Sequence, residues 1–196
     1  TNGGDLKKVL KGIDSALASG LTPIKINMVV MRGINDDELI PIIKFCLKKR
    51  LILRLIEFMP IGTTSSEVKE RHIPTKEIHE KVAKYFSLEK TTFKGPGPAW
   101  YEYVKGDGLF IGFISAVSQH FCKTCNRVRL MASGKLHLCL GHENQVDLAA
   151  LIRRPGISVE DLKEHIQSVV WDKPAIHRFD ENGSTANKRV MSAIGG

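Results

Sequence analysis

Three of the four cysteines in this 196-residue chain lie close together, in the stretch HFCKTCNRVRLMASGKLHLCL at residues 120–140. Cys122 and Cys125 form a C-x2-C loop, a spacing that lets two thiolates face one metal centre from a single tight turn. Cys139 follows a Ser-Gly hairpin signal at 133–134, which would return it towards that loop. The three cysteines therefore predict a metal site.

The cysteines alone leave the identity of the metal open. A closed structural zinc site needs four protein ligands, so zinc would require a nearby histidine, namely His120, His137 or His142. His137 shares a strand face with Cys139, which keeps the zinc interpretation open. A [4Fe–4S] cluster held by three cysteines would instead leave one iron without a protein thiolate and open to a ligand.

Basic side chains accompany the cysteines, and residues 120–140 contain no acidic residue. The basic residues are Lys123, Arg127, Arg129 and Lys135. Arg127 and Arg129 fall on one face of the predicted strand. Because arginine donates paired hydrogen bonds to carboxylates and phosphates, an open iron beside two arginines predicts an anionic ligand.

The elements that position these residues begin with a predicted βαβ unit. Apolar spacing indicates a helix that ends at Gly20 and a second helix that begins near Glu38, where Pro41 fits the first turn. Apolar runs rich in β-branched residues indicate strands at 24–31 and 51–59. Two strands joined through a helix pair in parallel, so we expect an α/β architecture.

The second half of the chain changes character after a helix at 75–86 and the Gly/Pro-rich turn FKGPGPAW. Two strands around a GDG turn, the cysteine hairpin and helices at 147–153 and 158–169 are predicted there. We therefore expect two domains, a barrel-like α/β part at 1–86 and an α+β domain with the cysteines at 87–196. Only two parallel strands are present, so we expect earlier βα units of a longer protein outside this chain.

The composition limits the class of partner. A formal net charge of +8 indicates anionic partners, either nucleic acid or a phosphorylated small molecule. The absence of a long Lys/Arg run and of stacking aromatic signatures argues against nucleic acid. Apolar runs fall short of the roughly 20 residues of a membrane span, and the sequence shows no basic-then-apolar leader, so we expect the cytoplasm, or an organelle whose targeting segment is absent from this chain. Because the cytoplasm keeps thiols reduced, the clustered cysteines are better interpreted as metal ligands than as disulfide partners. We expect no membrane partner, and a homodimer is one assembly that the sequence allows.

Four segments together resemble one enzyme family: the cysteine stretch with its N-R-x-R, the segments IKINMVVMRGIND and LRLIEFMPIG, and the terminal IGG. The chain is similar over nearly its whole length to the GTP 3′,8-cyclases, radical S-adenosylmethionine (SAM) enzymes that open molybdenum-cofactor biosynthesis. The C-x3-C-x2-C loop that would hold their SAM-cleaving [4Fe–4S] cluster is not in this sequence. The resemblance therefore implies the C-terminal portion of such an enzyme, inactive by itself.

The resemblance implies roles for the cysteines and arginines. In that family, an incomplete α/β barrel carries the first cluster, where SAM yields a radical that removes the C3′ hydrogen of GTP. Cys122, Cys125 and Cys139 would hold a second [4Fe–4S] cluster whose open iron binds the guanine base. Arg127 and Arg129 would lie beside GTP. No catalytic residue is expected within this chain.

Three residues of the predicted barrel strands also match family positions. Lys25 and Arg54 match positions used for GTP, and each interrupts an otherwise apolar strand. A barrel interior tolerates such a charge mainly where a ligand compensates it, and snorkelling to the rim is the alternative. Met59 matches a position near the SAM adenine, for which core packing is the alternative.

The sequence also gives expectations for the C-terminal glycines, Cys46 and the remaining histidines. In the family, the terminal Gly195 and Gly196 thread back towards the active site, because residues without Cβ pass through a narrow channel; a frayed end is the alternative. Cys46 lies in the apolar stripe of its helix and is expected in the core. The remaining histidines are expected at the surface: His72, His79, His165 and His177.

Two other functions fit the same residues. One is a zinc-stabilised nucleic-acid-binding module, which the positive charge and the C-x2-C loop would support. The other is a different radical SAM enzyme with an auxiliary cluster. The metal that the cysteines bind separates the first alternative from the cyclase.

Overall fold

A computed structural model of the chain describes residues 3–62 and 65–179. Its helices are α1 (Leu6–Ala18), α2 (Leu39–Lys49), α3 (Ser65–Arg71), α4 (Thr75–Ala83), α5 (Leu148–Ile152) and α6 (Val159–Trp171). Its strands are β1 (Lys25–Val30), β2 (Ile52–Glu57), β3 (Leu88–Lys90), β4 (Trp100–Val104), β5 (Leu109–Ile114), β6 (Arg129–Leu130), β7 (Lys135–His137) and β8 (Gln145–Asp147). No helix within the two described ranges has the length and apolar character needed to span a bilayer.

The predicted βαβ unit is present. Helix α1 begins after Asp5, whose carboxylate accepts hydrogen bonds from two backbone N–H groups of the first turn. Helix α2 begins after Glu38, as predicted. Strands β1 and β2, on either side of α2, pair in parallel with Asn27 opposite Arg54. Polar side chains of two neighbouring strands are thereby placed side by side.

The central sheet is mixed, with the strand order β1-β2-β5-β4-β3. Strand β5 pairs in parallel with β2 and antiparallel with β4, which in turn pairs antiparallel with β3. The two strands predicted around the GDG turn are therefore β4 and β5. Strand β3 is not predicted, because its three residues, LEK, are too few to show an alternation. The α/β prediction is confirmed at the level of a mixed α/β fold.

The predicted division at residue 87 stays a prediction. Strands β3, β4 and β5 follow that point yet join the sheet that β1 and β2 begin. The larger apolar core covers this sheet and includes Val30, Ile43, Leu53 and Phe113. A smaller core lies between the sheet β6-β7-β8 and helices α5 and α6, and its buried members are Leu136, Leu138, Leu148 and Leu151. In sequence, the cysteine loop connects the two cores.

Several single residues test the sequence-based expectations. Cys46 is fully buried in the core, as predicted, and burial raises the pKa of its thiol to about 11. The surface prediction is wrong for His72, which is 7% exposed. His79 is half-buried and its Nε2 lies 2.7 Å from Glu102 Oε2. Helix α3 is not predicted, because Val68 is the one apolar residue that it buries in a polar segment.

A buried carboxylate at the end of β2 joins three parts of the chain. Glu57 is fully buried, and its Oε1 accepts hydrogen bonds from the backbone N–H and hydroxyl of Thr75 at 2.7 and 2.8 Å and from the Ser118 hydroxyl. Its Oε2 accepts from the backbone N–H groups of Val117 and Ser118 at 2.7 and 3.0 Å. Burial opposes ionisation, yet these hydrogen bonds hold the pKa of Glu57 below its ordinary value. The end of β2, the start of α4 and the segment after β5 are thereby fixed together.

We predict that Glu57→Gln lowers the free energy of unfolding by about 1 to 3 kcal/mol at neutral pH. An amide NH2 in place of one carboxylate oxygen leaves buried N–H donors without an acceptor. Urea unfolding measures the change, with Glu164→Gln on the exposed face of α6 as the control. Equal stability of the two variants would contradict a stabilising role for Glu57.

The contribution of Glu57 also sets the direction of a pH dependence. Because its pKa is lower in the folded than in the unfolded chain, the stabilisation is present above the unfolded-state pKa. It is lost as the pH falls through the folded-state pKa. We therefore expect the difference in stability between the parent protein and Glu57→Gln to shrink in acid, and a difference that grows there would contradict the assignment.

Candidate metal centre

The C-x2-C loop forms the tight turn that its spacing predicts. Residues Cys122–Thr124 make one turn of 3₁₀ helix, and the backbone N–H of Cys125 donates to the carbonyl of Cys122 at 3.1 Å. The thiols of Cys122 and Cys125 are unpaired and line one cavity. A single turn thus places two cysteines on the wall of one cavity.

The predicted hairpin returns the third cysteine to this turn. Strands β6 and β7 are antiparallel, with Arg129 opposite His137, and are shorter than the predicted strands at 127–132 and 135–140. Cys139 follows β7 and lines the same cavity as the two loop cysteines. The three cysteines therefore line one cavity, and their joint role as ligands of one metal centre stays a prediction.

The cavity has a volume of about 270 Å³ and draws its wall from three parts of the chain. The central sheet contributes Asn27 and Arg54, and Met59 follows its strand β2. The segment 127–129 contributes Arg127 and Arg129, and the segment after α6 contributes Lys173 and His177. Cationic and polar groups therefore surround the thiols from more than one side. Such convergence of a few polar groups on one concave site is typical of ligand pockets.

N–H groups point at the cysteine sulfurs. The backbone N–H of His177 lies 3.4 Å from Cys122 Sγ, and the Lys173 ammonium lies 3.3 Å from Cys125 Sγ. Burial alone would raise the pKa of Cys125, but the backbone N–H of Arg127 and the Lys173 ammonium together bring it below the ordinary value. The surroundings of the loop therefore lower the pKa of the Cys125 thiol.

Cys139 has a different electrostatic environment. Burial raises the pKa of its thiol, and the negative charges of Cys122 and Cys125 act in the same direction. The backbone N–H of Gly141 and the positive charge of Lys173 oppose the rise. A bound cation would relieve this repulsion between the thiolates.

The predicted arginines both reach the cavity, although only one of them belongs to a strand. Arg129 is the first residue of β6, whereas Arg127 precedes the strand and is exposed. The guanidinium carbon of Arg127 lies 4.9 Å from the centre of the Phe121 ring, a cation–π contact. Burial lowers the pKa of Arg129, and the adjacent charge of Arg127 adds to the effect. Two like charges held together at a partly dry site would be stabilised by an anion.

The two predicted barrel-strand cations occupy different places. Arg54 lines the cavity, and its Nε donates to Asn27 Oδ1 at 2.7 Å. Gly112 lies opposite it on β5, where a Cβ atom would approach Tyr101 Cε1 to 2.7 Å and Arg54 Cγ to 3.1 Å, so the glycine leaves room for both side chains. Lys25 is half-buried at the start of β1 and is not part of the cavity wall. The roles of Lys25 and Arg54 in binding GTP stay predictions.

Two further predictions concern Met59 and the C-terminal glycines. Met59 follows β2, is half-buried and lines the cavity. Its contact with SAM stays a prediction. Gly195 and Gly196 lie outside the described residues.

The structure adds Lys173 and His177 to the residues that sequence reasoning found. His177 was expected at the surface, but it is half-buried, its ring packs against His120 and Phe179, and burial lowers its pKa. Neither residue has a regular spacing to the cysteines, and both follow the end of α6. A local sequence motif therefore cannot reveal Lys173 and His177. The prediction that His177 lies at the surface is wrong.

The thiol and imidazole groups of the site are suitable metal ligands. The contacts of the histidines limit which of them could bind zinc. Nε2 of buried His137 lies 2.5 Å from the carbonyl of His142, and His142 Nε2 lies 2.8 Å from the carbonyl of Ile176. Ligand atoms of His120, Cys122 and His177 lie within 4.8 Å of one another. A zinc site would draw on that group, whereas the three thiols with their N–H donors suit a thiolate-held cluster.

Comparison with known proteins assigns the class. Residues 51–179 match the model of the family described as Molybdenum Cofactor Synthesis C. The matched residues include the central sheet from β2 onward, all three cysteines and the segment after α6. The chain belongs to this family.

Curated relatives carry a more specific name. The chain is 45% identical over 199 residues to the GTP 3′,8-cyclase of Hydrogenovibrio crunogenus, and the match covers 100% of this chain and 60% of that protein. It is 41% identical to GTP 3′,8-cyclase 1 of Pseudomonas aeruginosa and 40% identical to the GTP 3′,8-cyclase of Syntrophomonas wolfei, again over 100% of this chain and 60% of each relative. The chain spans about 60% of the length of the curated relatives that it matches.

We predict that Gly141→Ala disturbs the part of the cavity wall formed by Cys122, Cys125 and Cys139, which we call the cysteine face. A Cβ atom at this buried position would lie 2.6 Å from His177 Cβ and 3.1 Å from the backbone nitrogen of Arg178, so the segment after α6 must move away. Overpacking of this kind costs about 1 to 3 kcal/mol. Urea unfolding and the rate at which a thiol reagent modifies the cysteines should both report the change.

Gly97→Ala is the matched control for this substitution. A Cβ atom at Gly97 meets nothing within 4 Å, so neither stability nor thiol reactivity should change. If Gly141→Ala behaves like Gly97→Ala, the close packing of residues 177–178 on the cysteine face is refuted.

Proposed function

We propose that this chain is the C-terminal portion of a GTP 3′,8-cyclase and that its cavity holds GTP beside a second [4Fe–4S] cluster. The observation that carries the proposal is the convergence of Cys122, Cys125 and Cys139 with the guanidinium groups of Arg127 and Arg129 on one cavity. The names of the relatives support the reaction.

The three thiols would hold the cluster. When bound, a cluster with three thiolate ligands supplies one iron that is free to coordinate a ligand atom. The N–H donors from His177, Lys173 and Gly141 would stabilise the thiolates, and the nearby cationic side chains would balance their negative charge. Every one of these groups belongs to the chain described above.

The cationic side chains would bind the nucleotide. Arg54, Arg127 and Arg129 line the cavity, and a guanidinium group can donate two hydrogen bonds to a phosphate group. Lys25, on the same face of β1 as Asn27, would extend this positive surface beyond the cavity. The arrangement suits a ligand that has a base at the thiol end and a triphosphate along the arginines.

The remaining parts of the reaction belong to the portion outside this chain. We assign the SAM-cleaving cluster, and the radical that removes the C3′ hydrogen of the GTP ribose, to the N-terminal part of an incomplete barrel. Met59 would contact SAM from this side of the cavity. This chain therefore supplies substrate binding and no catalytic residue, and we expect it to be inactive by itself.

The zinc alternative rests on the group formed by His120, Cys122 and His177. Metal analysis of the full-length protein, purified without oxygen, separates the two. About four irons and four sulfides per three-cysteine site would support the cluster, and one zinc at that site would support the alternative.

We predict that replacing Cys122, Cys125 or Cys139 by Ser in the full-length protein removes the iron of this site. Cys46→Ser should leave the iron content unchanged, because Cys46 lies in the core of the sheet, away from the cavity wall. Iron and sulfide analysis of anaerobically purified variants measures the effect. Equal iron loss in all four variants would refute the ligand assignment.

We predict that Arg127→Ala or Arg129→Ala weakens GTP binding by about 1.5 to 3 kcal/mol, the range for a hydrogen bond to a charged group. Cluster absorbance should be preserved, because neither side chain is a proposed ligand. Isothermal titration with GTP measures the affinity, and Arg154→Ala, on the exposed surface after α5, is the control. If GTP affinity is unchanged, these arginines balance charge without binding the substrate.

A further inference from the structure

The side chain of Lys173 has an unusual position for a lysine that follows the end of a helix. Its ammonium donates to the carbonyl of Cys125 at 2.7 Å and lies 3.3 Å from Cys125 Sγ. The residue is half-buried and forms part of the cavity wall. Lysine at such a place is usually solvated, so a specific contact holds this one.

Two contacts fix the backbone that carries Lys173. The backbone N–H of His177 donates to Cys122 Sγ at 3.4 Å, and the carbonyl of Ile176 accepts from His142 Nε2 at 2.8 Å. The segment 173–179 is therefore held against both the C-x2-C loop and the end of the hairpin. Lys173 is presented to the sulfur by a fixed backbone.

The charge of Lys173 is compensated by the cysteines. Among the ion pairs of the described residues, none joins Lys173 to a carboxylate. Its positive charge acts instead on the thiols of both Cys125 and Cys139. A positive charge held against cluster thiolates favours the reduced state, which carries one more electron.

We propose that Lys173 is a positioning residue for the three-cysteine cluster, where its ammonium fixes the Cys125 loop and raises the reduction potential of the bound cluster. This inference rests on the proposed function, because it requires the cluster. It extends that proposal to a residue that contributes no metal ligand and lies 48 positions from Cys125 in the sequence. Hydrogen bonds to cluster sulfurs are among the factors that set cluster potentials.

The test is a redox titration of the full-length protein, purified without oxygen and followed by electron paramagnetic resonance. The signal of this cluster is identified as the one that disappears in Cys125→Ser. Lys173→Met should move the midpoint potential of that signal to a more negative value, because the hydrogen bond and the positive charge are both lost. Lys173→Arg should stay close to the parent value, because the charge is retained.

The control is Lys163→Met, on the exposed surface of α6, where Lys163 pairs with Glu160 at 3.0 Å. Its midpoint potential should equal that of the parent. A Lys173→Met protein with full iron content and an unchanged potential would overturn the proposal. So would a shift of the same size in Lys163→Met.

If Lys173→Met does not hold the cluster, its midpoint potential cannot be measured, and the iron content of Lys173→Arg becomes the test. A Lys173→Arg variant that keeps its iron and a potential near the parent value then supports positioning through the positive charge. Loss of iron in Lys173→Arg as well would assign Lys173 to packing and overturn the inference. A parent protein without iron and sulfide at this site would instead refute the proposed function, so the two failures are distinguishable.

Discussion

The buried carboxylate of Glu57 constrains the position of the segment that follows β5. A carboxylate that is removed from water must have its oxygens satisfied by donors within the protein, or burial would neutralise it. Glu57 finds those donors at the first residue of α4 and in the backbone at 117–118. Residues 117 and 118, which lead into the cysteine loop, are therefore held against the end of β2, the strand that also carries Arg54.

Parallel pairing of β2 with β5 reinforces the same constraint. The pairing places Gly112 opposite Arg54, and the missing side chain leaves space for the arginine to reach the cavity. The end of β5 then leads through 115–118 directly to the C-x2-C loop. The mixed sheet thus supplies Arg54 to the cavity wall and, a few residues after β5, leads to the C-x2-C loop, so this part of the site depends on the sheet.

Sequence patterns were informative where a feature is local. The C-x2-C turn, the Ser-Gly hairpin that returns Cys139 and the βαβ unit each depend on neighbouring residues, and all three are present. Lys173 and His177 lie 48 and 55 positions from their cysteine partners, a separation at which no periodicity relates them. Their contribution depends on how α6 packs on the smaller core, which is a tertiary property. Strand β3 and helix α3 are short and mostly polar, so their formation depends on the surrounding packing.

The long sequence separation between the thiols and their donors also has a consequence for biosynthesis. A ribosome adds about 5 to 20 residues per second, so Lys173 is made about 2 to 10 s after Cys125. During that interval the C-x2-C turn and the hairpin can fold, because their contacts are local, while the face that residues 173–179 later cover stays accessible. The order of translation therefore leaves the three thiols accessible before residues 173–179 close over them.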